Sequence, residues 1–153
     1  MFKIVRFPSK LKPLGDVIEL VLDDSKKQKR GKDMQAVGWI HDPVNGAKIR
    51  GHKYVMATIR FKGHTIPFGI SLHVKQQDCP DLGLAFQKTT QLAADLIKAF
   101  TPPAGVKVRV LFDSYYLCPV LVKVCRSKKK ALRMSKSDAP RLQGGASRCL
   151  KLI

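Results

Sequence analysis

Two stretches of this chain build a strongly apolar run and stop at an aspartate with a serine beside it. They are Val17-Ile18-Glu19-Leu20-Val21-Leu22-Asp23-Asp24-Ser25 and Val106-Lys107-Val108-Arg109-Val110-Leu111-Phe112-Asp113-Ser114. No other feature restricts the fold as much. Val17 to Leu22 is nearly continuous in apolar residues, the pattern of a strand covered on both faces. A carboxylate is costly to take out of water unless a cation or hydrogen bonds compensate. Acids at the ends of two core strands therefore mark a candidate metal site. Glu19 is the only glutamate in the chain.

The segments between the two runs define the fold class. Val37-Gly38-Trp39-Ile40 leads into a turn carrying Asn45-Gly46, a strong hairpin signal. Tyr54 to Phe61 and Thr65 to Val74 read as strands around the short loop Lys62-Gly63-His64. Asp81 to Phe100 has Phe86, Leu92, Ala93, Leu96, Ile97 and Phe100 at helical spacing. Pro80 precedes it and Pro102-Pro103 follow it, as helix punctuation. After the second aspartate run a short helix is expected from about Pro119 to Cys125, with Ser114 as a cap. Strand, hairpin strands, helix, strand, helix is an α/β order with a mixed sheet. If the first and last strands are parallel neighbours, Asp23 and Asp113 emerge side by side at their carboxyl ends, where open α/β sheets place ligands.

The 153 residues suffice for one domain with a real core. No apolar run is long enough to span a bilayer, and Met1 to Pro8 lacks the pattern of a signal peptide, so a cytoplasmic location is expected. The formal net charge of +18 favours a polyanionic partner, nucleic acid above all, over a membrane surface. The charge is clustered. Lys26, Lys27, Lys29, Arg30 and Lys32 follow the first aspartates; Lys123, Arg126, Lys128, Lys129, Lys130, Arg133 and Lys136 form the second group. The first cluster, and Lys128, Lys129 and Lys130 of the second, suit contacts to a DNA backbone. Cys79, Cys118, Cys125 and Cys149 have no zinc-like spacing and read as reduced, partly buried thiols. His41, His52, His64 and His73 fit no ligand pattern either. Trp39 reads as core. Tyr115 and Tyr116 are core residues or base-stacking platforms.

Magnesium suits an all-oxygen site that shares ligands with phosphates, and a two-metal site for phosphodiester displacement needs about three carboxylates. Asp23, Asp24 and Asp113 are the candidates. Glu19 lies roughly 13 Å along the strand from Asp23 and cannot share a metal with it. An aspartate with serine after a strand is equally a turn or cap former.

In order, Leu22-Asp23-Asp24-Ser25, Lys29-Arg30-Gly31-Lys32, Asp42-Pro43, Gly51-His52 and Leu111-Phe112-Asp113-Ser114-Tyr115-Tyr116 resemble the DDE transposases of bacterial insertion sequences, over about residues 17–130. The resemblance implies an RNase H-like mixed sheet with flanking helices, the first acid on the first strand and the second on the fourth. It also implies magnesium-dependent cutting and joining of DNA ends. In that family Ser or Thr follows the first acid by two residues, which favours Asp23 with Ser25 as first acid and leaves Asp24 as the alternative; Asp113 fits the second. The family's third acid is a glutamate on a later helix. After Asp113 this chain has only Asp138.

The expected organisation is an N-terminal lead-in (1–16), a partial catalytic domain (17–130), incomplete at its C-terminal side, and a basic, disordered or frameshifted tail (131–153). The expected function is that of a transposase fragment, inactive alone, with DNA as partner and self-association in a full-length parent. The alternative is a non-catalytic basic nucleic-acid-binding protein.

Overall fold

The computed structural model describes residues 17–31, 33–42, 46–103, 106–129 and 149–150. The expected lead-in and, apart from residues 149–150, the expected tail lie outside the described residues, as does Asn45 of the expected turn.

The first apolar run opens strand β1 (Val17–Gln28), which continues well past Leu22. Its partner explains the extra length. Strand β3 (Ala47–Phe61) runs antiparallel beside it from Glu19↔Arg60 to Gln28↔Gly51, so a continuous ladder overrides the turn preference of Asp23-Asp24-Ser25. Gly51 is needed in that ladder, since a Cβ there would stand 2.3 Å from the Lys27 carbonyl oxygen. The other edge of β3 takes two strands in succession, β2 (Gly38–Asp42) and β4 (His64–His73). The β3–β4 hairpin turns at Lys62 and Gly63, both at positive φ.

Helix α1 (Thr89–Ala99) starts later than the apolar spacing suggests. Pro80–Leu82 instead forms a 3-10 turn closed by Gly83 in the left-handed region (φ 62°). The Gln91 side chain then accepts the Lys88 backbone N–H at 2.7 Å and sets the first turn of α1. Strand β5 (Lys107–Phe112) is parallel to β1, from Val17↔Lys107 to Leu22↔Phe112. Helix α2 (Pro119–Lys129) outruns its expected end at Cys125, and β6 (Cys149–Leu150) adds antiparallel to β5. The chain is thus α/β, with one mixed sheet ordered β2-β3-β1-β5-β6 and β4 also on β3.

Both helices pack on the same side of the sheet. Alternate strand residues, among them Leu20, Val55, Ile59 and Val110, form one buried cluster with Ile97 of α1 and Leu121 of α2. β1 is therefore buried on one face and only half-buried on the other, not covered on both. That open face explains why Trp39 is 63% exposed, contrary to its expected place in the core. It lies opposite Arg50 on the side that neither helix reaches. Among the described residues no helix is long and apolar enough to cross a membrane.

Candidate metal and nucleic-acid site

The parallel pairing of β1 with β5 ends at Leu22↔Phe112, and both of those residues are buried beneath the helices. Asp23 is the next residue of β1 and alternates to the open side, Asp113 is the first residue past β5, and both are exposed. From there β5 leaves the sheet through a 3-10 turn, Ser114–Tyr116, while β1 continues beside β3. The acids thus stand at a notch where one edge of β1 loses its partner. Ser114 supplies no side-chain cap; its hydroxyl instead donates to Asp113 Oδ1 at 2.9 Å, and Asp23 Oδ1 accepts the N–H of Asp24 at 2.8 Å. Neither carboxylate forms a salt bridge to a lysine or arginine among the described residues.

Asp24 faces the other way. Its Oδ2 lies 3.1 Å from Lys53 Nζ, and both side chains are three-quarters buried. Lys53 also stands over the Tyr115 ring, 5.5 Å from its centroid. The Tyr115 hydroxyl is 2.8 Å from Oγ1 of Thr89, the buried first residue of α1. Tyr116 packs edge-on against Tyr115 and is fully buried. Its hydroxyl has no hydrogen-bond partner among the described residues. Burial first, then the charges of Asp24, Tyr115, Asp23 and Asp113, hold that phenol well above its usual pKa. The charges of all three acids thus bear on one buried phenol. Among the described residues no three His, Cys, Asp or Glu side chains gather closely enough to hold a metal.

Glu19 is committed elsewhere. It faces Arg109 across the β1–β5 register, and the two form an ion pair at 2.8 Å. His73, opposite Lys53 on β4, is held below its usual pKa by burial and then by the Lys53 charge. Cys79, Cys118 and Cys125 are free thiols, and burial pushes Cys125 up to about 11, so it stays protonated near neutrality.

Among the described residues the two basic clusters sit on different elements, the first on β1 and the loop after it, the second on α2. Lys26 and Lys27 extend β1 beyond the acids, and Lys29 and Arg30 follow them. This segment is tied to β3, where Arg50 donates to the Gly31 carbonyl at 2.6 Å and accepts the Lys29 N–H at 2.9 Å. Lys128 belongs to α2. Its ammonium donates to the carbonyls of Lys98 (2.6 Å) and Phe100 (2.9 Å), closing the carboxyl end of α1. Lys32 and Lys130 lie outside the described residues, as does the side chain of Lys129.

Lys53 escaped the sequence reading, although a signal was present. It shares the strand alternation of Val55, Ala57 and Ile59, and a lysine in phase with core residues needs a partner. Comparison with protein-family models, with curated proteins and with solved structures finds no match.

Proposed function

We propose that this chain carries the partial catalytic centre of a DDE-type transposase, with Asp23 as first acid and Asp113 as second. One observation carries the reading: β1 and β5 are parallel neighbours whose last registered pair, Leu22↔Phe112, is followed on both strands by an acid. In an RNase H-like arrangement the two acids belong to the first and fourth principal strands. Here β5, which leads to Asp113, takes the fourth place in chain order if the five-residue β2 is an insertion before β3. Asp23 is preferred to Asp24 because the latter is paired with Lys53 on the helix side.

Asp23 and Asp113 would hold magnesium, which when bound activates a nucleophile and stabilises a leaving oxygen at a phosphodiester. Both are exposed and clear of competing salt bridges among the described residues, which suits ligands. They make a pair rather than a full set. The only glutamate, Glu19, is taken by Arg109. The chain alone is accordingly expected to bind a divalent ion weakly and to leave DNA uncut.

Titration with manganese followed by calorimetry tests this. Wild-type protein should bind the ion, and Asp23→Asn or Asp113→Asn should each weaken binding about tenfold or more. Unchanged binding in both variants would sink the metal site. It would favour the second reading, a non-catalytic basic nucleic-acid-binding protein, which draws support from the lack of a three-ligand group among the described residues. Robust magnesium-dependent nicking, lost in Asp113→Ala, would overturn the inactivity.

A further inference from the structure

The helix-side neighbourhood of the acids contains a device that metal ligation does not use. Tyr115 remains 57% exposed although it is fixed at three points. Its hydroxyl meets the buried Thr89 hydroxyl, its ring meets Tyr116 edge-on at 5.2 Å and 86°, and Lys53 lies over it. An exposed tyrosine that only filled space would need no anchor at its tip. A ring that must present a flat surface does, because a fixed orientation reduces the ordering lost when a base stacks on it. Asp24, at 3.1 Å, holds Lys53 over the ring. A platform next to a tethered ammonium matches one nucleotide, the base on the ring and the phosphate near the cation.

We infer that Tyr115 and Lys53 form a clamp for one unpaired nucleotide of a DNA strand, on the helix side of the sheet. The inference rests on the proposed DNA-processing role and adds how a strand end is held. Duplex DNA cannot use the platform until a base leaves its stack. The clamp therefore selects a frayed or single-stranded end, held on the helix side of the sheet edge at which Asp113 follows β5. No metal takes part in the grip, so it persists in chelator.

The test is fluorescence anisotropy in EDTA, with a labelled single-stranded oligonucleotide and an abasic oligonucleotide of equal length and charge. Wild-type protein should prefer the base-containing strand by about fivefold or more. Tyr115→Ala should erase that preference, and Tyr115→Trp should keep it. Lys53→Gln should lower the slope of log affinity against log salt by roughly 0.7. Equal wild-type affinity for the two oligonucleotides, or a preference that survives Tyr115→Ala, would overturn the platform; an unchanged slope in Lys53→Gln would overturn the phosphate contact. Lys123→Gln, exposed on α2, should leave the base preference intact. Failure of the clamp thus shows in EDTA, whereas failure of the metal site shows only in the manganese titration.

Discussion

At the scale of single residues, Tyr116 is the most constrained group near the acids. It is fully buried, and its hydroxyl has no partner among the described residues. An unbonded buried hydroxyl is destabilising by about 1–3 kcal/mol relative to one in water. Tyr116→Phe should therefore leave stability unchanged or raise it by up to about 1 kcal/mol, as read from urea denaturation at neutral pH; a clear loss would reveal a bond to the hydroxyl. The pH dependence has a definite sign. Burial first, and the Asp24 charge second, raise the folded-state pKa, so the unfolded chain ionises first. The stability linked to Tyr116 is complete below about pH 10 and is lost above it, a loss that Tyr116→Phe should abolish. The sequence marked Tyr115 and Tyr116 as a pair with two possible roles. Which of them is buried depends on the 3-10 turn after β5, a tertiary detail without periodicity to announce it.

At the scale of elements, apolar periodicity located every long strand and both helices, but the ends followed other rules. β1 ran past its expected end because β3 offered a ladder along its whole length, and α1 started late because Gly83 and Gln91 set its entrance. Its exit is set by Lys128, whose ammonium reaches two carbonyls at the carboxyl end. Those carbonyls otherwise lack intrahelical donors and sit at the negative end of the helix dipole. Lys128→Ala should cost about 1 kcal/mol, with Lys123→Ala as an exposed control within about 0.5 kcal/mol of wild type. Thermal unfolding of the two variants side by side checks this. A Lys128→Ala midpoint equal to the control would mean that the contact contributes nothing to stability. As a member of a basic run, Lys128 read as a DNA contact. Sequence proximity could not show that its ammonium is occupied by a helix end brought near through the fold.

At the scale of the whole molecule, a net charge of +18 promises affinity for polyanions without saying where they bind. The fold sorts that charge. Lys27 and Arg30, both exposed, belong to the end of the sheet that carries Asp23 and Asp113. Lys123 and Arg126, equally exposed, belong to α2, which ends against the carboxyl end of α1. A duplex drawn across the acids would cover the first pair and miss the second. Each phosphate neutralised on B-form DNA contributes about 0.9 to the slope of log affinity against log salt. Lys27→Gln with Arg30→Gln should reduce that slope by up to about 1.8, whereas Lys123→Gln with Arg126→Gln should leave it unaltered. Both double variants lose the same formal charge, so a non-directional attraction would lower their slopes equally. Salt titrations of the two on one duplex therefore separate a located DNA path from diffuse attraction. Equal slopes would mean that the position of the acids has no bearing on where DNA lies.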